Sequence, residues 1–243
     1  MTTYHFDYTL PPRRVRKSTR TPLGIVLQNE AHAGAYYYDL RTRKPVAARM
    51  KRTFDLLSAT LVIALISPLL LVIMALIKLT SPGPIIFRQR RIGFRCNQFD
   101  MYKFRTMYDG AHLKEKELAA QAGGSFLKVK NDPRITPIGG FLRKYSLDEL
   151  PQLFNVLEGT MSLVGPRPLL VSDLDKLPRR SPLIRFSMPP GITGLWQVSG
   201  RSDCSELKRM QLDRQYVYRW SLALDFEILM RTIEVVFTGR GAV

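Results

Sequence analysis

Cysteine and histidine are scarce in this chain of 243 residues: two cysteines, Cys96 and Cys204, and three histidines, His5, His32 and His112. The cysteines lie far apart and outside any CxxC or Cys/His spacing. That excludes a disulfide framework and the common zinc patterns, and it fits a reducing compartment. The scattered histidines speak against a metal site built on imidazole. Acidic charge is also thin, with 20 Asp and Glu against 37 Lys and Arg and a formal net charge of +17. Such an excess points to a polyanionic partner: nucleic acid, an anionic membrane surface or phosphorylated substrates. There is no GxxxxGK[ST] loop, no GxGxxG fingerprint and no nucleophile-elbow serine. Internal repeats are missing, the opening residues do not read as a secretory signal, and no second long apolar run follows the first.

That one run is Phe54 to Leu79, "FDLLSATLVIALISPLLLVIMALIKL", uncharged between Asp55 and Lys78. As a continuous helix the uncharged stretch is roughly 33 Å long, enough to cross a bilayer. Two features favour a helix that enters and leaves by the same face. Ser67-Pro68 sits in its middle, where a proline removes a helical hydrogen bond and kinks the chain. Positive charge flanks both ends, with Arg41, Arg43, Lys44, Arg49, Lys51 and Arg52 before it and Arg88, Arg90, Arg91 and Arg95 after it. Positive charge marks the cytoplasmic side, and here both ends claim it. The re-entrant reading is therefore placed ahead of a spanning anchor, and both ahead of a buried soluble helix. The expected organisation is a basic, largely disordered tail over 1–48, a membrane helix over 49–80 and a cytoplasmic catalytic domain over 81–243.

Beyond the membrane segment, "IIFRQRRIGFRCNQFDMYKFRTM" reads as short strands turning near Gly93 to Asn97. "AHLKEKELAAQA" reads as a polar helix and "NDPRITPIGGFLRKY" as turns with a short amphipathic piece. "SLVGPRPLL" and "MPPGITGLWQVSGRSD" read as loops fixed by glycine and proline, and the last thirty-odd residues as two helices broken near Trp220. The expected class is α+β and helix-rich.

Chemistry is concentrated in "SLDELPQLFNVLEGT", Ser146 to Thr160. Leu150, Leu153, Phe154 and Leu157 recur at helical spacing, Gly159 is placed to close the helix, and Pro151 belongs in its first turn. The helix is expected to begin near Asp148. Two readings of the acids remain open. Asp148 caps the helix, or Ser146 and Glu149 form a capping box. Alternatively the helix dipole keeps Asp148 ionised, ready to attack phosphorus, with Glu149 beside it holding Mg²⁺. Basic residues in stiff loops accompany the pair: Lys103 and Arg105 in "KFRTM", Arg167 in "GPRP" and Arg201 in "SGRSD". Arginine forks match phosphate oxygens. Together these features suggest a phosphate-handling enzyme at a bilayer.

Read in order, "KRTFD", the mid-membrane "SP", "SPGPIIFRQRRIG", "KFRTM", "DPRIT", "LRKYSLDELPQLFNV", "MSLVGPRP" and "PGITGLWQVSGR" closely resemble the bacterial sugar transferases, the monotopic phosphoglycosyl transferases. The resemblance covers Lys51 onward. It implies that a UDP-sugar binds with Mg²⁺ and that Asp148 attacks the phosphorus next to the sugar, expelling UMP. The phospho-sugar then passes to polyprenyl (undecaprenyl) phosphate, initiating exopolysaccharide, capsule or O-antigen-type glycan assembly. It further implies that Asp148 and Glu149 form the acidic dyad linked to the metal, and that Lys103, Arg105, Arg167 and Arg201 meet phosphate. It implies a re-entrant helix broken at Ser67 and Pro68 in the bacterial inner membrane, with the catalytic domain and N-terminus cytoplasmic. "GLWQVSGR" and the C-terminal stretch look most like the branch that transfers glucose- or galactose-1-phosphate. No nucleic-acid partner is expected, and a homodimer is left open. The alternative is a membrane-anchored protein that binds nucleic acid or anionic lipid through its positive charge.

Overall fold

The computed structural model describes residues 44–111, 132–171, 183–200 and 204–238. The expected tail up to residue 43, the expected polar helix around "AHLKEKELAAQA", and Arg201 lie outside the described residues.

The apolar run forms helix α1, Pro45–Thr80, of 36 residues. Pro45 opens it, where a missing N–H costs no helical bond. Among the described residues it is the one helix long and apolar enough to cross a membrane. The expected break at Ser67-Pro68 does not interrupt it: α1 runs through Pro68. Pro68 has no N–H to give the Ala64 carbonyl, and the Ser67 hydroxyl donates to that carbonyl instead, at 2.9 Å. The serine thus satisfies the acceptor that the proline orphans.

One stripe of α1 is covered over the whole length. Lys51, Asp55 and Ala59 are buried in the first half, and Leu70, Ile73 and Ile77 in the second. Leu57, Leu61, Leu65, Leu69, Val72 and Leu79 are exposed. The first half docks on the larger core, built from Phe99, Met101, Leu153, Val156, Met161, Val164, Met188, Tyr216, Trp220 and Ile228 among others. The second half docks on a smaller core with Phe104 and Leu142, and Ile66 touches both.

After α1 come β1 (Ile86–Ile92) and β2 (Gln98–Phe104), an antiparallel hairpin with Ile86 opposite Phe104 and Ile92 opposite Gln98. The turn lies where the sequence puts it, in a short 3₁₀ segment at Phe94–Cys96. Helix α2 (Pro137–Lys144) is capped by Thr136, whose hydroxyl accepts from the Gly139 N–H. Helix α3 (Gln152–Glu158) ends on Gly159 at φ +85°, the left-handed closure that glycine provides. Strands β3 (Ser162–Val164), β4 (Leu169–Leu170) and β5 (Gly191–Thr193) follow, then α4 (Leu195–Val198), α5 (Glu206–Arg219) and α6 (Leu222–Thr238). Trp220 divides the last two helices, as expected.

The loops expected at "SLVGPRPLL" and "PPGITG" are in part strand. β4 extends the hairpin sheet in the order β2-β1-β4, and β3 pairs parallel with β5. Three-residue strands are too short for an alternating pattern to reveal. Gly165 and Gly191 let the two segments approach backbone to backbone; a Cβ on either would run into the other.

Candidate active site

The acidic pair does not begin a helix. Leu147–Glu149 is a single 3₁₀ turn, and α3 starts only at Gln152 with Pro151 as its cap residue and no side-chain cap. Ser146 adopts the left-handed region (φ 56°, ψ 22°), uncommon for a residue with a Cβ, and makes no side-chain cap. A capping box needs an extended Ser146 and a Glu149 that reaches back to it; Glu149 is engaged elsewhere. The capping reading therefore fails for both acids. So does the account in which a helix dipole holds Asp148 charged, since Asp148 sits four residues upstream of a helix only seven residues long. Of the expected stripe, Leu153 is buried and Leu150 and Leu157 pack against the cores, but Phe154 is exposed, while Asn155 and Val156 are fully buried.

What surrounds the acids is positive. Lys103, near the end of β2, donates to Glu149 Oε1 at 2.8 Å and lies 3.8 Å from Asp148 Oδ2. Arg167 Nη2 donates to the same Glu149 oxygen at 3.2 Å. Burial raises the Asp148 carboxyl above its ordinary range; Lys103 opposes this, Glu149 adds to it, and Arg143 and Arg167 oppose it. Burial pushes Glu149 up as well, but Lys103 and Arg167 overcome it and hold Glu149 well below the usual carboxylate range. One acid is thus a firmly ionised anchor, and its neighbour is a poorly solvated carboxylate beside cations.

The four residues open on a cavity of about 560 Å³, whose lining also includes Arg143, Tyr145, Trp196, Gln197 and Arg209. The Arg209 and Arg167 guanidinium groups stand 5.0 and 5.8 Å from the centre of the Trp196 ring, a cation–π arrangement that keeps both beside the cavity. Four cations therefore face two carboxylates, a surplus that suits a diphosphate. Apolar residues Val62 of α1 and Val235 and Val236 of α6 line the same cavity, so the membrane-type helix borders the charged site.

The loop carrying Arg167 is held from outside. Gly165 N–H donates to the Thr193 carbonyl at 2.9 Å, and Gly191 N–H donates to the Pro166 carbonyl at 3.0 Å. Arg185 reaches the Arg167 carbonyl at 2.9 Å, and Arg91 the Pro168 carbonyl at 3.4 Å.

Of the residues singled out in the sequence, Asp148, Glu149, Lys103 and Arg167 come together. Arg105 does not join them. It is buried, its Nη2 donates to the Ser81 carbonyl and hydroxyl at 2.8 and 2.9 Å, and its Nη1 bonds the Pro82 carbonyl. It clamps the exit of α1. β2 ends at Phe104, and Arg105 and Lys103 point to different partners. Arg143, Trp196 and Arg209 were not singled out. The first two lie inside quoted motifs, and Arg209 carries no local signal. Asn155 is a further omission: its amide donates to the Asp100 carbonyl at 2.8 Å and its Oδ1 accepts from Tyr102 N–H at 2.9 Å, tying α3 to β2 behind the dyad.

Among the described residues no cluster of three or more His, Cys, Asp or Glu could hold a metal. Mg²⁺ needs no such cluster, since it commonly binds through one or two carboxylates, water and substrate phosphates. Both cations on Glu149 go to Oε1, which leaves Oε2 and the Asp148 carboxylate as oxygen donors at the cavity. The residues present therefore fit a magnesium ion completed by substrate.

A family model described as "Bacterial sugar transferase" matches residues 46–239. The exopolysaccharide production protein ExoY of Rhizobium meliloti (strain 1021) is 42% identical over 205 residues, covering 82% of this chain and 90% of that protein. The undecaprenyl-phosphate galactose phosphotransferase of Salmonella typhimurium is 42% identical over 214 residues, 84% of this chain but 44% of the relative. The UDP-glucose:undecaprenyl-phosphate glucose-1-phosphate transferase of Escherichia coli (strain K12) is 40% identical over 200 residues, 79% of this chain and 41% of the relative. With nearly the whole described chain inside the family match, and the dyad, its cations and the GPRP loop gathered at one cavity, the chain belongs to the bacterial sugar transferase family and is a phosphoglycosyl transferase.

Proposed function

We propose that this protein transfers a sugar-1-phosphate from a UDP-sugar to undecaprenyl phosphate, for exopolysaccharide synthesis, through a phospho-sugar carried on Asp148. The observation that carries this is the juxtaposition of a buried carboxylate, a neighbouring carboxylate paired with two cations, and four cations in all, in one cavity bordered by α1. The names of the relatives supply the donor and acceptor classes. Family membership decides against the nucleic-acid or lipid-binding alternative.

The chemistry follows from the residues. An Asp148 oxygen forms a bond to the phosphorus next to the sugar while the bond from that phosphorus to the bridging oxygen breaks, and UMP leaves with the electron pair. Arg167 and Lys103 stand where the developing negative charge is met by cations already held in place. Glu149 keeps those cations oriented. A phosphate oxygen of the lipid acceptor then attacks the same phosphorus and regenerates the Asp148 carboxylate. Bound at the dyad, Mg²⁺ would neutralise charge on the donor's phosphates. The sugar is glucose or galactose, by likeness to relatives of both kinds.

The contacts of α1 support the same reading of its orientation. Lys51 and Asp55 at one end, and Ile77 and Ser81 at the other, are bonded to or packed on the same polar domain. A helix fixed at both ends to one polar body keeps both ends on the same face of the bilayer, as a re-entrant helix does, and its basic flanks favour the cytoplasmic face. Labelling of cysteines placed at the exposed Met50 and Arg88 from opposite faces would refute it.

The decisive experiment omits the acceptor. Given a UDP-sugar alone, the wild type should release UMP and gain the mass of a hexose phosphate on the peptide carrying Asp148. Asp148→Asn should fold and gain none. Near-wild-type turnover by that variant, shown free of deamidation, would exclude the covalent route.

A further inference from the structure

We propose that the buried ion pair Arg185–Asp213 is a positioning device for Arg167, fixing its peptide so that the guanidinium stays at the cavity. Arg185 belongs to the 3₁₀ turn Leu183–Ser187 and Asp213 to α5, so the pair joins two elements that are remote from "GPRP" in sequence. One nitrogen, Arg185 Nη2, donates both to Asp213 Oδ2 at 2.6 Å and to the Arg167 carbonyl at 2.9 Å. The side chains are 8% and 2% exposed.

Three observations separate this from an ordinary buried ion pair. First, the pair is poorly satisfied: Arg185 Nε and Asp213 Oδ1 have no hydrogen-bond partner. Burial pushes Asp213 up to about 6 in spite of Arg185 and Arg167. A buried pair is weak support for stability even when complete, and apolar replacements of similar volume are often neutral or stabilising. Second, the loop needs outside donors. In Pro166-Arg167-Pro168 only Arg167 has a backbone N–H, so the carbonyls must be held from other segments. Gly191 holds Pro166, Arg91 holds Pro168, and Arg185 acts at Arg167 itself. Third, the residue whose carbonyl the pair holds is the one whose side chain meets Glu149, while its neighbours Pro166 and Pro168 are held by other segments.

The consequence is geometric. A fork that neutralises a developing phosphoryl charge must be in place beforehand, and a displacement of about 1 Å costs on the order of 100-fold. The inference rests on the proposed role of Arg167 toward the donor's phosphates.

The test is a cycle of variants read by single-turnover UMP release from the UDP-sugar, with melting temperature alongside. Arg185→Met with Asp213→Leu removes the pair without leaving a lone charge. It should melt near the wild type yet release UMP about 10- to 100-fold more slowly. Arg167→Lys is slowed as well. In that background, adding the pair replacement should cost less than about 2-fold, because its effect runs through Arg167. Equal losses in the two backgrounds, or no loss beside an intact Arg167, would overturn the inference. Should the double replacement not fold, Asp213→Asn keeps the shape and the same comparison decides. Arg167→Lys at the wild-type rate would overturn the inference together with that residue's role, whereas UMP release by the wild type in the same series reports on the proposed function by itself.

Discussion

Replacing Lys103 by methionine keeps an unbranched apolar stem and removes the ammonium that lies 2.8 Å from Glu149 and 3.8 Å from Asp148. At an effective dielectric constant of about 20, unit charges at that separation attract by about 4 kcal/mol before solvent screening takes its share. Arg143 and Arg167 remain, and water entering the vacated space recovers part of the loss, so the Asp148 pKa rises, but by less than that attraction alone implies. The sign is fixed by chemistry. Asp148 attacks as the anion, burial already raises its pKa, and losing the principal opposing cation raises it further. The ionised fraction at a given acidic pH falls, and the acidic limb of kcat/KM for UMP release moves upward. Glu149 loses one of its two partners and rises in the same direction. The assay is the rate of UMP release from about pH 5 to 9, with a melting curve at each end. Lys103→Met should recover in part toward alkaline pH, short of the wild-type plateau because the phosphates also lose a cation. A uniform drop with an unmoved limb would show that Lys103 serves the substrate's phosphates alone and not the dyad.

Arg105→Ala should lower stability by about 2–3 kcal/mol and leave turnover per folded molecule near that of the wild type, because it removes bonds to Ser81 and Pro82 and none at the cavity. A thermal melt alongside titrated active sites checks it, and lost turnover at an unchanged melting temperature would return Arg105 to the phosphates. Asn155→Ala orphans the Asp100 carbonyl and the Tyr102 N–H and should cost about 2–3 kcal/mol, seen as an earlier denaturant midpoint at unchanged slope.

The sequence made the dyad legible because two acids beside a proline, in a basic chain with stiff loops, form a local pattern. The presence of β1 and β2, the turn between them and the division at Trp220 were legible for the same reason. What decides Arg105 from Arg167 is not local: both are arginines in short motifs, yet one meets the end of α1 and the other meets Glu149. Asn155, Arg185 and Asp213 are polar residues whose partners are 53, 18 and 28 positions away, and no period or spacing announces such pairings. The short strands β3, β4 and β5 escaped because two or three residues between prolines and glycines have no room for a pattern. The helix starts at Gln152 and not near Asp148 because Pro151 is its cap residue and not a first-turn residue, and a separate 3₁₀ turn carries the acids.

The Lys51 ammonium donates to Asp225 at 2.6 Å and to the Val164 carbonyl at 3.0 Å, and Asp55 receives Ser162 and the Leu163 N–H. Val164 immediately precedes the glycine of the GPRP loop. The anchor of this enzyme is therefore not a detachable module. A cut drawn where hydropathy falls, near Leu79, would strip out Lys51 and Asp55. It would leave Asp225 as an unmatched charge and the strand leading to Arg167 without its support. Grafting on a generic membrane helix would repeat the damage. Solubilising this protein means shielding α1, not removing it.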